Sequence, residues 1–332
     1  MPADKPIVCY LGPETSYTHQ AALQAFPAAD YEHLPALTIK DVFDMTQSGR
    51  ATHGVVPFEN STNGSVVFTL DHFADRDGRY GDLSVCAEAY LSVHHCLLGY
   101  APPTDGQAAA TAPATAPATG EEEKGVVAVA QPLASLAHVK RVYSHPQAWG
   151  QVTRFMRTHL RGIETIDVSS TSRAAALAKA DATGTSAAVS SALAAEVQSL
   201  EVLARNIEDR EDNTTRFFVL RKDACGSELA ASPSQVAVDG KQKTKSLVSF
   251  TVPHTSPGAL ADVLDCFRAG GLNLTSINSR PSLQEPFQYV FFVEFEGHRY
   301  DDPEGRVKGV LEGIGRVAQS WRWLGSWVNM RA

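Results

Sequence analysis

From residue 7 to residue 220 the chain alternates apolar runs of strand length with stretches whose apolar residues recur at helical spacing. Residues 7–11 read as a strand that breaks at Gly12-Pro13-Glu14, and Thr15-Ser16-Tyr17-Thr18 leads into an Ala/Leu/Gln helix over 19–26. A second unit follows: a helix carrying Leu37, Val42, Phe43 and Met45 and stopped by Gly49, a strand over 53–58, the turn Glu59-Asn60-Ser61-Thr62, and a helix-like run to Leu70. Residues 83–98 read as one or two strands. The alternation resumes with a strand at 139–144 and a helix from Pro146, which suits a first turn. A strand at 163–168, an Ala-rich helix capped by Ser169-Ser170-Thr171-Ser172, a strand at 187–190 and a short helix at 193–197 follow. Finally a polar approach, 206–212, stops at Asn213-Thr214-Thr215-Arg216, and 217–220 is an apolar strand.

Turns rich in hydroxyls and amides thus recur after strands. A doubly wound sheet, or two facing across a cleft, would gather them at one mouth. Two stretches break the pattern. Residues 101–120 have 16 of 20 positions as Ala, Pro or Thr and read, with Glu121-Glu122-Glu123, as an insert without core-forming pattern. Residues 223–245 read as a linker. Beyond them a different module begins: a strand at 246–252, a helix from Ser256 as N-cap with Pro257 at its first position, strands at 274–278 and 289–296, a second helix behind Asp302-Pro303, and a Trp-rich strand at 320–328. The order β-α-β-β-α-β is the ferredoxin-like split βαβ arrangement.

A length of 332 residues suits two or three domains, and 43% hydrophobic with 20% charged residues describes a globular protein with ample core. The net charge of −8 disfavours nucleic acid and anionic membranes, so an anionic ligand must be caught locally. The five cysteines (Cys9, Cys86, Cys96, Cys225 and Cys266) are scattered, which argues for a reducing compartment and against a zinc cage. His94-His95-Cys96 falls on a strand, where neighbours diverge, so it is not read as a metal site. With no apolar leader or membrane-length run, a cytoplasmic protein is expected.

The candidate chemistry lies in the turns. Thr214, Thr215, Asn213 and Arg216 stand at the mouth of a buried strand, where they can grip a small anion. The guanidinium fork of Arg216 matches a carboxylate, yet it can instead pair with Glu208 or Asp209. Ser16 reads equally as a helix N-cap. Glu59 reads equally as a partner of a loop amide, and His145 as a structural residue at a helix start. Trp321, Trp323 and Trp327 read as core and interface.

Taken together, the motifs resemble prephenate dehydratase followed by an ACT regulatory domain. The resemblance rests on Tyr10-Leu11-Gly12-Pro13-Glu14 with His19-Gln20-Ala21, on the stretch from Pro57 through Glu59-Asn60-Ser61-Thr62 to Gly64 and Val66, on Ser144-His145-Pro146-Gln147-Ala148, and on Ile207-Glu208-Asp209 with Asn213-Thr214-Thr215-Arg216-Phe217. In the last module, Gly258-Ala259-Leu260 and Asn278-Ser279-Arg280-Pro281 are similar to the family's two phenylalanine motifs. Thr15 stands where the family has glycine, and Asn278 where it has glutamate.

The resemblance implies an α/β fold with a two-lobed, periplasmic-binding-protein-like catalytic domain over 1–222 and an ACT domain over 246–332. It implies a lyase of phenylalanine biosynthesis that turns prephenate into phenylpyruvate without a cofactor. Thr215 would then assist the leaving hydroxyl, with Glu59 or water as proton source. Asn60, Ser61, Arg216, Phe217, Ser16, Ser170 and Thr171 would hold substrate, aided by helix N-termini. L-Phenylalanine would act as inhibitor at Gly258, Ala259, Leu260, Asn278, Ser279, Arg280 and Pro281, in a homodimer or homotetramer paired through ACT sheets. Arogenate dehydratase, and a non-catalytic amino-acid-binding sensor, are the alternatives.

Overall fold

Strand β1 (Ile7–Leu11) is apolar along its length because it lies inside a sheet, parallel to β2 (Glu32–Ala36) on one side and β3 (His53–Asn60) on the other. The computed structural model describes residues 5–101, 128–222, 243–253 and 255–331. The insert expected at 101–124 and the linker expected at 223–245 fall outside them save at their ends. The crossovers of the first sheet are α1 (Tyr17–Ala25) and α2 (Ile39–Gln47). Edge strand β2 was not legible in E-H-L-P-A, which buries one residue and carries a proline. A short β4 (Gly64–Ser65) folds back on β3 and leads into α3 (Val67–Ala74).

The stretch 83–98 resolves into β5 (Leu83–Ser92) and β6 (Cys96–Gly99), which belong to different sheets. Between them the chain crosses into a second lobe. There β7 (Arg141–Ser144), β8 (Glu164–Asp167), β9 (Ser186–Ser190) and β10 (Glu201–Ala204) join β6 in the order β10-β6-β9-β7-β8. Its helices are α4 (Pro146–Trp149), α5 (Thr153–His159), α6 (Thr171–Ala180) and α7 (Ala192–Gln198). The chain returns through residues 205–213 to β11 (Thr214–Lys222), which is antiparallel to both β3 and β5.

The registers fix how the lobes face. Thr215 pairs with Asn60, so the start of β11 lies at the C-terminal end of β3. Cys96 pairs with Ser190, so β6 enters the second sheet at the C-terminal end of β9, beside the ends of parallel β7 and β8. Both crossing segments therefore join the C-terminal edges of the two sheets, the edges where α/β folds gather ligands.

The third module has strands β12 (Thr244–Thr251), β13 (Leu274–Pro281), β14 (Tyr289–Glu296) and β15 (Ser320–Val328), with helices α8 (Ala259–Ala269) and α9 (Arg306–Val317). Its strand order β13-β14-β12-β15 is that of the split βαβ fold. Both helix starts differ from expectation. Ser256 and Asp302 stand in turns, and left-handed Gly258 and Gly305, with φ of 85° and 68°, are the N-caps. Asp302 still accepts from Lys308 N at 2.9 Å.

The module joins the first sheet through β15. Gly325 bridges Val85, and a Cβ there would lie 2.1 Å from the Val85 carbonyl oxygen, so only glycine permits the approach. One face of the first sheet packs Val8, Tyr10, Val55, Phe217 and Val219 with α1 residues Ala21 and Ala22. The other packs Val56, Phe58, Phe218 and Leu220 with α2, α3 and the module's Leu247, Phe292, Leu324 and Trp327. Among the described residues no helix is long and apolar enough to cross a membrane.

Candidate active site

The anchor of the site is a pair of backbone donors. The N–H groups of Thr62 and Asn63 point at Asn60 Oδ1, at 3.0 and 2.9 Å. Because an N–H can only donate, the amide nitrogen of Asn60 must face the other way. There Nδ2 meets Asn213 Oδ1 at 2.9 Å and Thr215 Oγ1 at 3.0 Å. Asn213, accepting on its oxygen, donates from Nδ2 to Gln151 Oε1 at 2.9 Å. Gln151 Oε1 also stands 2.7 Å from His95 Nε2, so that ring nitrogen carries the hydrogen. Burial holds His95 below the ordinary histidine range and therefore neutral, leaving Nδ1 to face the Tyr17 hydroxyl at 3.1 Å. Burial, with Cys96 and Glu208 nearby, raises the Tyr17 phenol, which stays protonated.

A hydrogen-bond network thus runs from the first lobe (Asn60, Thr215) through the crossing segment (Asn213) to the second lobe and on to α1 (Tyr17), with Asn213 and His95 both donating to Gln151 Oε1. It ends usefully at Thr215. That oxygen accepts from Asn60, and its own hydrogen goes to none of the described residues. A half-buried hydroxyl at the cleft mouth, already polarised by an amide donor, is equipped to donate.

The other crossing residues are structural. Glu208 holds His94 Nδ1 at 2.7 Å and His95 N at 2.9 Å, while Asp209 caps α5 through Thr153 N and Arg154 N, each at 2.9 Å. The His94 and His95 rings diverge to Glu208 and Gln151. Among the described residues no cluster of His, Cys, Asp or Glu is arranged to hold a metal.

Several expected site residues have other work. Arg216 meets neither Glu208 nor Asp209 and does not face the cleft. Strand alternation turns it to the opposite face of β11 from Thr215, where it is buried against Glu88 of β5 and Glu294 of β14. Glu59, register partner of Arg216, lines the cavity on that same side, with Tyr90, Lys245 and Glu294, away from Thr215. Phe217 shares a face with Thr215 but is only 1% exposed and belongs to the core. Ser61 ties its loop to β11, accepting from Thr214 N at 3.0 Å and donating to Asp212 O at 3.1 Å.

Ser16 is the N-cap of α1, accepting from His19 N and donating to the Leu11 carbonyl. Ser170 caps α6 through Arg173 N at 3.0 Å, and Thr171 is that helix's first residue. Both helix starts lie at the sheet edges that face the cleft, so their N-terminal dipoles are available to an anion. His145 caps α4 through Gln147 N, as its structural reading had it. Thr15, which replaces the family's glycine, keeps the glycine-like backbone with φ of 71°. In the third module, Asn278 accepts from Ser65 Oγ at 2.6 Å and Arg280 grips Asp71 at 2.8 and 2.9 Å.

The residues missed from the sequence are Gln151, His95 and Tyr17. No spacing links them. Only Asn213, inside the N-T-T-R-F stretch, carried a signal.

Comparison with known proteins bears on this geometry. The family model for prephenate dehydratase matches residues 8–225. The bifunctional chorismate mutase/prephenate dehydratase of Pseudomonas aeruginosa is 34% identical over 320 residues, covering 96% of this chain and 72% of that protein. The crystal structure of prephenate dehydratase from Arthrobacter aurescens in complex with L-Phe superposes with a TM-score of 0.75 at 28% identity, covering 97% of this chain and 90% of that one. The quorum-quenching acylase GqqA superposes with a TM-score of 0.71 at 26% identity, covering 98% of each chain.

Proposed function

We propose that this chain, which belongs to the prephenate dehydratase family, converts prephenate to phenylpyruvate in the cleft between its two lobes, with Thr215 as hydrogen-bond donor to the departing hydroxyl. In that reaction the ring–carboxylate bond breaks, the carboxylate leaves as CO2, and the bonding electron pair enters the ring. The carbon–oxygen bond opposite breaks in turn, and the hydroxyl takes a proton to leave as water. Aromatisation supplies the driving force, so the protein's work is to orient the dianion and ease a poor leaving group.

The observation that carries this reading is the direction of the Asn60–Thr215 hydrogen bond, in which the threonine oxygen accepts and its proton is left for substrate. Threonine is too weak an acid to act alone. The proton lost to the leaving group is replaced from water, since Glu59 faces the other side of the sheet. The substrate's carboxylates are received by the N-termini of α1 and α6 with Thr171, in place of Arg216.

The likeness to an acylase supports a second reading, hydrolysis of an N-acyl amide. That chemistry needs a nucleophile whose proton a base removes. Among the described residues no imidazole or carboxylate accepts from Thr215, which favours dehydration. Purified protein incubated separately with prephenate, arogenate and an N-acyl homoserine lactone decides. Phenylpyruvate from prephenate is the expected result; phenylalanine from arogenate alone, or release of a fatty acid, would reassign the substrate.

The C-terminal module is an ACT regulatory domain in this reading, with L-phenylalanine bound near Gly258-Ala259-Leu260 and Asn278-Ser279-Arg280-Pro281 and lowering turnover. The L-Phe complex of the Arthrobacter protein supports this. Strand β13 is the outer edge of the ten-stranded sheet and exposes Ile277, which suits side-by-side pairing into a homodimer or homotetramer. Calorimetric titration with L-phenylalanine, alongside turnover, tests the site.

A further inference from the structure

Thr215 and Arg216 are neighbours with opposite outlooks, and between them they join the cleft to the C-terminal module. The Arg216 guanidinium takes Glu88 through Nε at 2.8 Å and through Nη2 at 2.6 Å, and the same Nη2 reaches Glu294 of β14. Lys245 of β12 lies 3.4 Å from both carboxylates. Thr275 Oγ1 donates to Glu294 at 2.5 Å, and Met330 N to Glu88 at 2.9 Å. The Phe218, Phe58 and Tyr90 rings lie 4.8, 5.2 and 5.8 Å from the guanidinium carbon. All four charged side chains are no more than 6% exposed, and the set of two cations and two anions is neutral.

A buried charge network is a poor way merely to glue two surfaces together, because apolar side chains of the same volume do so as well or better. What it supplies is a fixed register. The need for register is local. Between Arg216 and Phe217 the pairing of β11 with β3 slips by one residue, whereas β5 pairs with Thr214 to Val219 in continuous register, so it is the placement of Thr215 against Asn60 on β3 that the ladder leaves unlocked.

On the module side, Glu294 sits on β14, which pairs with β13 from Ser276 to Pro281 beside a register shift at Thr275, and β13 in turn is tied to Ser65 and Asp71 beyond the Asn60 turn. The module therefore holds both strands that bear the Asn60–Thr215 pair.

From this geometry we infer that Arg216 is a positioning residue for Thr215, and that the C-terminal module sets the donor's aim through the Arg216–Glu294 pair. A ligand that shifts β14 against β5 is then read directly at Thr215. The inference rests on the reading of Thr215 as donor in the cleft, and it assigns Arg216 to regulation of that site rather than to contact with substrate.

The test is Glu294→Gln combined with Lys245→Met. The double variant keeps the buried cluster neutral and leaves Arg216 paired with Glu88, but removes its ion pair to the module. The expected result is a folded protein whose kcat falls about ten- to a hundredfold, the cost of misplacing a reacting group by about 1 Å. KM changes less than about twofold, amide exchange over 213–217 speeds up, and L-phenylalanine still binds but no longer changes the rate.

Wild-type kcat with wild-type exchange in the double variant overturns the inference, as does a lowered Tm with unchanged kcat. Thr275→Val, which leaves all four charges in place, gives the same pattern in weaker form and serves if the double variant fails to fold. Should the unmodified protein not turn over prephenate, the functional reading falls. Unchanged exchange at 213–217 in the variant would then still refute the clasp on its own.

Discussion

Replacing Thr215 by valine tests the donor with the least disturbance to its surroundings. Valine is β-branched and nearly isosteric, so it keeps the strand and its rotamer. Asn60 Nδ2 loses one acceptor but retains Asn213 Oδ1 at 2.9 Å and the Thr214 carbonyl at 3.3 Å, so no buried donor is stranded. The stability cost is therefore that of one ordinary hydrogen bond, about 1 kcal/mol, which in a protein of this size moves Tm by only a few degrees. Turnover should respond very differently. Loss of a positioned donor to a leaving group lowers kcat by about 10²–10⁴-fold, equivalent to about 2.7–5.4 kcal/mol at about 1.36 kcal/mol per decade. The assay follows phenylpyruvate formation at saturating prephenate, with circular dichroism and Tm on the same samples. Thr215→Ser should recover most of the rate. A valine variant with kcat within about fivefold of wild type would refute the assignment, because the variant lacks the hydroxyl whose hydrogen is the proposed donor.

Gln151→Leu would leave both Asn213 Nδ2 and His95 Nε2–H unpaired in a buried setting, costing about 2–6 kcal/mol at about 1–3 for each group; thermal unfolding and turnover should both fall, and an unchanged Tm would show the lobes are not tied there. Gly325→Ala forces a Cβ against the Val85 carbonyl at φ of 143°, and should cost at least about 2 kcal/mol and expose β15 to limited proteolysis, an outcome that an unaltered digestion pattern would contradict. Burial, with Arg221 nearby, pushes the His53 imidazole down to about 4. Its neutral form is the folded one, so its contribution is whole above the ordinary pKa of about 6.5 and is lost as pH falls from there toward the folded value. His53→Gln should flatten denaturant-derived stability across that window by up to about 1.4 kcal/mol per pH unit; parallel curves for the two proteins would rule this out.

The alternation of apolar runs and helical stretches revealed most of the elements, since buried strand segments such as β1 and the 217–220 centre of β11 have no charged residue to disguise them. Two edge strands escaped. Edge strand β2 buries one residue, and β10 lies at the edge of the second sheet. Ser256 and Asp302 have the side chains of N-caps, yet a glycine two or three residues on took the position by adopting φ that other residues avoid. At the site, the N-T-T-R-F and E-N-S-T stretches marked the right strand ends, and the register does bring Asn60 to Thr215. Gln151, His95 and Tyr17 were invisible because what unites them is a hydrogen-bond direction fixed by tertiary packing, which no linear spacing encodes.

The same motifs also show why adjacency in sequence misleads about shared duty. In a strand, consecutive side chains point to opposite faces. Glu59 and Asn60 on β3, and Arg216 and Thr215 on β11, are therefore split two and two, with one pair at the cleft and one against the C-terminal module. Had all four served substrate, the strands would have to twist out of their ladders at the point where both are already paired. Placing the guanidinium on the far face has a physical consequence. An arginine whose charge Glu88 and Glu294 neutralise, and whose pKa those carboxylates raise despite burial, cannot be spared for a passing carboxylate without leaving Lys245 alone against two buried anions. In the function proposed above, this is why the substrate's charge falls to helix N-termini and hydroxyls.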